Sequence, residues 1–127
     1  MKKRAIDSEL APEPIGPYSH MVRVGNMLIL SGQIALVPET MELNAADTET
    51  EVRQVFANIH AVLKAANATL HDIVKLTVFV TDLERFNSVN AVMSEVLSPP
   101  YPARSTVQVA ALPRGATVEV EAIAVKQ

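Results

Sequence analysis

Two changes of apolar period in the middle of the chain restrict its fold more than any other feature. From Val52 to Ala66 the apolar residues Val52, Val55, Phe56, Ile59, Val62, Leu63 and Ala66 recur at three- and four-residue spacing. That spacing is the single stripe of an amphipathic helix. From Ile73 to Val80 a β-branched run takes over, with Val74, Leu76, Val78 and Val80 on one face and Ile73, Lys75, Thr77 and Phe79 on the other. The helical spacing then returns through Leu83, Phe86, Val89, Met93 and Val96 or Leu97. Thr48-Glu49-Thr50-Glu51 reads as a capping box with Thr48 at the N-cap, Asp82 as the N-cap of the second helix, and Asn67 as a left-handed stop. Helices with one stripe each fit on one face of a mixed sheet.

Strand signals flank this unit. Val22-Arg23-Val24, Gly25-Asn26 and Met27-Leu28-Ile29-Leu30 form a hairpin pattern that pairs Val24 with Met27, Val22 with Ile29 and His20 with Ser31. The prolines at 99, 100 and 102 deliver a stiff approach to a strand that begins with Arg104, with Arg104, Thr106 and Gln108 on one face and Ser105, Val107 and Val109 on the other. From Thr117 to Val125 alternation is strict: Glu119, Glu121, Ile123 and Val125 against Val118, Val120, Ala122 and Ala124. If these last two strands pair as a hairpin around Leu112-Pro113, Glu119 lies opposite Thr106 and diagonal to Arg104. The coarse order is β-β-β-α-β-α-β-β, an α+β arrangement with a mixed sheet and two helices on one face. The other face keeps many apolar side chains, and leaving it wet exposes a large patch, so self-association is expected.

A chain of 127 residues suits a single domain, residues 1–127. The net charge of −3 gives no electrostatic footprint for nucleic acid, and the basic cluster Lys2-Lys3-Arg4 is too short to supply one. With no cysteine, disulfides, thiolate metal sites and a cysteine nucleophile are all excluded. Met1 to Arg4 starts like a signal peptide, but no apolar segment follows, and no run reaches the ~18 residues of a membrane span. The expectation is a soluble cytoplasmic protein with no membrane or nucleic-acid partner.

No phosphate-cradling loop, G-x-G-x-x-G, H-E-x-x-H or G-x-S-x-G occurs, and His20, His60 and His71 have no metal-ligand spacing. A polar set remains that needs no metal or cofactor: Tyr18, Ser31, Gly32, Asn90, Arg104, Thr106 and Glu119. A guanidinium at a rigid strand entrance matches the two oxygens of a carboxylate. Tyr18, at the exit of the proline-rich segment from Ala11, either orients a ligand or covers a sheet edge. Gly32 marks a bulge or a close approach to the backbone. Asn90 is either exposed or bonded to something specific.

Six segments carry a resemblance. Ile15-Gly16-Pro17-Tyr18-Ser19, Ser31-Gly32-Gln33-Ile34, Asp72-Ile73-Val74-Lys75, Val89-Asn90-Ala91, Pro102-Ala103-Arg104-Ser105 and Glu119-Val120-Glu121-Ala122-Ile123-Ala124 look, in this order, like the Rid (reactive intermediate deaminase, or YjgF) family, and within it the RidA-like deaminases. The resemblance implies a chorismate-mutase-like fold, a homotrimer with sites in the clefts between subunits, and cofactor-free hydrolysis of enamines and imines such as 2-aminoacrylate to 2-oxo acids and ammonia. It also implies that Arg104 grips the substrate carboxylate and Glu119 orients or activates water, with Tyr18, Ser31, Gly32, Asn90 and Thr106 lining the pocket. Two departures concern pocket shape. Thr106 stands where the best-known deaminases often have cysteine, and the connection from Asn90 to Arg104, with Ser98-Pro99-Pro100, is a few residues shorter than usual. The alternatives are a non-enzymatic trimer that binds small metabolites or partner proteins, and the ribonuclease or translation-inhibitor activity attached to the family by name. The acidic balance and the lack of a basic, aromatic-lined stripe argue against the last of these.

Overall fold

The computed structural model describes residues 1–127. Six strands form one mixed sheet: β1 (Arg4–Ile6), β2 (Met21–Val24), β3 (Met27–Gln33), β4 (Ile73–Val80), β5 (Ala103–Gln108) and β6 (Val118–Val125). Their spatial order is β1-β2-β3-β6-β4-β5. Two helices, α1 (Thr48–Lys64) and α2 (Phe86–Val96), supply the second layer. The core lies between sheet and helices, built from Leu28, Leu30, Leu76, Val78, Val118 and Val120 below and Val52, Val55, Phe56, Ile59, Val89 and Val92 above. The expected element order and the α+β layering are both present.

The hairpin register is as the alternation dictates: Val24 pairs with Met27 and Val22 with Ile29, and the Ser31 amide donates to the His20 carbonyl at 3.0 Å. Gly32 sits in a register shift between Leu30 and Gln33 where β3 meets β6, which is the bulge reading of that glycine. Asn67 takes a positive φ of 56° just beyond α1. The N-cap of α1 differs from expectation. Asp47, one residue earlier than Thr48, accepts from the Thr50 amide at 2.8 Å. This hydrogen bond holds the Asp47 carboxyl below its ordinary pKa. Glu51 therefore has no capping role, and its side chain turns into the protein. Asp82 caps a short 3-10 turn (Leu83–Arg85) that leads into α2, and Leu83 and Phe86, expected to face inward, are exposed.

The pairing of the last two strands is a larger correction. β5 does not form a hairpin with β6; it runs parallel to β4, with α2 as the crossover, while β6 lies antiparallel between β3 and β4. Composition explains the choice. β4 buries Ile73, Leu76, Val78 and Val80 and suits a central position flanked on both sides, whereas β5 carries Arg104, Ser105, Thr106 and Gln108 and suits an edge.

Across the sheet, residues in register share a face. Met27, Ile29, Ile123, Val125 and Phe79 point away from the helices, and Met27 and Ile29 are more than two-fifths exposed. No helix in the structure is long and apolar enough to cross a membrane.

Candidate active site

Six of the seven polar residues singled out in the sequence gather at two places. Tyr18, Ser31, Gly32 and Glu119 line one cavity of about 410 Å³, whose walls also include Pro12, Glu13, Gln33 and Arg114. Asn90 and Arg104 line a second, of about 390 Å³, with Met93, Leu97, Tyr101 and Pro102. No residue belongs to both.

The strand order explains the separation. Arg104 is in register with Leu76 and Thr106 with Val78, so both take the helix-covered side of the sheet at its open edge. Glu119 is opposite Phe79 and alternates with the buried Val118 and Val120, so it takes the other side. Glu119 is therefore not opposite Thr106, and within one chain it does not meet Arg104.

In the first cavity the β3 bulge brings the backbone of Gly32 against Glu119. A Cβ at Gly32 would lie 2.8 Å from Glu119 Oε2, so only glycine leaves the carboxylate where it is. Burial pushes the Glu119 carboxyl above the ordinary carboxylate value, and the like charge of Glu121 pushes it further in the same direction. A carboxyl raised in this way exchanges protons nearer neutrality, as a general base or acid must. Ser31 Oγ donates to the Ser19 carbonyl at 2.6 Å, so its proton is committed and its oxygen is left to accept. Tyr18 is half-exposed; its hydroxyl accepts from the Ile15 amide at 3.2 Å, which leaves its own proton free to donate.

The segment carrying Tyr18 is pinned from behind by His20, which is 2% exposed. Its Nδ1 accepts from the Ser8 amide at 2.9 Å and its Nε2 lies 2.6 Å from the Pro12 carbonyl. A carbonyl only accepts, so the proton sits on Nε2 and the ring is held as that neutral tautomer.

In the second cavity Arg104 Nη1 donates to Asn90 Oδ1 at 2.5 Å and meets Met93 Sδ at 3.5 Å, while its guanidinium lies 5.1 Å from the centre of the Phe86 ring. These partners are neutral. The chain's ion pair is Arg53 with Glu95, and the neutral His20 merely lies 3.7 Å from Asp7, so the Arg104 charge is oriented but unpaired. Asn90 thus resolves to the second of its alternatives, bonded to something specific. Thr106, two residues on and expected to line the pocket, borders neither cavity, and its buried Oγ1 has no hydrogen-bond partner in the chain.

Likeness to known proteins identifies the family. The family model described as endoribonuclease L-PSP matches residues 8–126. The chain belongs to this family, the Rid or YjgF proteins. The 2-iminobutanoate/2-iminopropanoate deaminase of Dermatophagoides farinae is 46% identical over 123 residues, 97% of this chain and 96% of that protein. RidA from an Antarctic Psychrobacter superposes with a TM-score of 0.93 at 47% identity, covering 96% of this chain and 98% of that one. TdcF of Escherichia coli, solved with bound serine, superposes with a TM-score of 0.90 at 41% identity, covering 98% and 99%. The six-stranded sheet with two helices is thus the Rid fold.

Sequence reasoning missed the roles of three residues: Phe86 against the Arg104 guanidinium, Arg114 on the wall of the first cavity, and Glu51 bonded to the entry of β6. Phe86 was assigned to the core, yet it precedes Asn90 by one helical turn, a spacing that puts both on one face. Arg114, in the turn before β6, gave no periodic signal. Glu51 was absorbed into a capping box, although it precedes Val55 by four residues and so falls on the apolar stripe.

Proposed function

We propose that this protein is a deaminase of small carboxylate-bearing enamines and imines of the 2-aminoacrylate type, releasing 2-oxo acids and ammonia. The observation that carries the reading is Arg104: a guanidinium fixed by neutral neighbours, with no carboxylate of its own chain to pair with. Such a group is a receptor for a planar two-oxygen anion. The names of the relatives, an iminobutanoate and iminopropanoate deaminase and a TdcF solved with serine, agree with a small amino-acid-like ligand.

Arg104 and Glu119 occupy opposite faces of the sheet, so a shared site needs a second copy of the chain. The half-exposed apolar face around Met27 and Ile29 supports such an assembly, and the reading takes it to be the family's homotrimer, with each site between two subunits. Arg104 of one copy, supported by Asn90 and Phe86, holds the carboxylate; Glu119 of the next, with Tyr18, Ser31 and Gly32, faces the reacting carbon. Thr106 shares the Arg104 face of β5 and backs the carboxylate site from within the chain.

The chemistry then needs little more than placement. The enamine takes a proton from water at C3 to become the iminium. Water adds to C2 as Glu119 accepts its proton, giving a neutral carbinolamine. Glu119 returns that proton to nitrogen, the C2–N bond breaks and ammonia leaves, while the C2 hydroxyl gives up its proton to Glu119 and becomes the carbonyl. That proton returns to water in place of the one taken at C3, so the balance is enamine plus water to 2-oxo acid plus ammonia, with no oxidant or reductant.

The test generates 2-aminoacrylate from serine with a pyridoxal-phosphate dehydratase and traps surviving intermediate with semicarbazide. Wild type should drain the intermediate; Arg104→Ala should not, and Arg104→Lys, which keeps the charge and loses the fork, should fall with it. A wild type indistinguishable from the protein-free control, on 2-aminoacrylate and on bulkier imino acids, sinks the enzymatic reading and leaves a metabolite-binding trimer.

A further inference from the structure

One ionisable group plays no part in the chemistry above. Glu51, in the first turn of α1, is 1% exposed. Its Oε2 accepts from the amides of Thr117 at 2.7 Å and of Val118 at 3.1 Å, and its Oε1 accepts from the Thr117 hydroxyl. The Thr117 carbonyl, in turn, accepts from the Thr81 amide at the end of β4 at 3.0 Å. The entry to β6 is therefore gripped from two elements at once, and both amides are satisfied by a helix side chain rather than by a strand. Glu119 follows immediately after the gripped pair.

We infer that Glu51 is a positioning residue: through Thr117 and Val118 it fixes the backbone from which Glu119 reaches the Gly32 bulge. This rests on the proposed role of Glu119 and extends it to a residue on the opposite side of the sheet. The close approach at Gly32 shows how little latitude the Glu119 carboxylate has. A shift of its backbone by an ångström moves it out of place, a displacement worth about a hundredfold in rate. Arg104 stands on a different strand and face, so substrate binding is untouched.

The atom assignment makes a sharp distinction between substitutions. Both backbone amides share Oε2, so a glutamine can place its amide oxygen there. Its NH2, at the place of Oε1, then donates to the Thr117 hydroxyl, which reverses its role. Glu51→Gln keeps all three bonds, whereas Glu51→Leu keeps the bulk and loses them.

Kinetics on in situ 2-aminoacrylate, with a carbon-13 NMR titration of Glu119 assigned by Glu119→Gln, tests this. The charged groups near that carboxyl, Glu121 on its own face and Glu13 and Arg114 on the cavity wall, are unchanged in every variant. Glu51→Leu should lower kcat by about 10- to 100-fold with KM within about threefold, and shift the Glu119 titration towards that of a solvated carboxyl. Glu51→Gln should stay within about threefold of wild type in kcat, with the titration unmoved. Should Glu51→Leu not fold, Thr117→Val removes only the hydroxyl link and should give the same split at smaller size. The inference is overturned if Glu51→Gln is as impaired as Glu51→Leu, or if the loss variants leave both kcat and the Glu119 titration at wild-type values. A wild type without deaminase activity refutes the role of Glu119 instead, and the titration alone then decides whether Glu51 places it.

Discussion

Replacing Gly32 by alanine tests the placement of Glu119 with one added methyl group. The three nearest heavy atoms to a Cβ at this position all belong to Glu119: Oε2 at 2.8 Å, Cδ at 3.0 Å and Cγ at 3.2 Å. Ordinary contact begins at 3.4 Å, so the carboxylate has to retreat by roughly half an ångström. No backbone atom is among those neighbours, and Gly32 is not one of the glycines with positive φ, so the main chain accepts alanine. The side-chain displacement costs about 0.5–1.5 kcal/mol, against about 0.4–1 kcal/mol gained from the stiffer unfolded chain. Stability should therefore change by less than about 1 kcal/mol. Activity should not be spared: half an ångström at the proton-transferring group predicts a kcat loss of about tenfold or more, with KM little changed because Arg104 is elsewhere. Semicarbazide trapping gives the rate and thermal melting the stability. In the Glu119→Gln background the added methyl should do little further harm, since both changes act through one group. A Gly32→Ala protein with wild-type kcat would refute the reasoning that carboxylate position limits the rate.

Four further outcomes are expected. Phe56→Ala, at a side chain 1% exposed in the centre of the core, should cost about 3–5 kcal/mol in chemical denaturation. Asn58→Ala removes the Nδ2 donor to the Ile34 and Leu36 carbonyls, at 3.0 and 2.8 Å, and should cost about 2 kcal/mol while loosening the wall behind Glu119. Glu119→Gln should be more stable than wild type at pH 8, because the folded state raises this carboxyl's pKa and so disfavours its ionised form; the difference should shrink as pH falls through the raised value and vanish below 4.5, which thermal melts across pH will read. Ile29→Asp places a charge in the apolar open face and should reduce the assembly to single chains in sedimentation, whereas an unchanged sedimentation coefficient would remove this face from the interface.

The layers of the fold were legible because they follow from periodicity. The Val52–Ala66 stripe, the β-branched run of β4 and the alternation of β6 each carry their own signal, and the Gly25-Asn26 turn fixes its register by itself. Strand order was not legible, since adjacency in sequence favours a β5–β6 hairpin while burial favours β4 between them. That one choice also decided the geometry of the site: the hairpin put Arg104 and Glu119 on one face, whereas the sheet divides them. Glu51 shows a different limit. An acid near the start of a helix reads as a cap, and only the third dimension shows the amides of Thr117 and Val118 waiting behind it.

The division of Arg104 and Glu119 between two faces means that, in the proposed site between subunits, each polypeptide would carry two unlike halves. A subunit with a ruined Arg104 would still offer a sound Glu119 cavity to its neighbour, and a subunit with a ruined Glu119 would still offer a sound arginine. Two populations, each dead when pure, should then exchange subunits and recover working clefts wherever the sound halves meet. Dilution should act in the opposite sense, by parting the two halves of each cleft. On that reading catalysis is a property of the contact, and its concentration dependence follows from the order of four strands.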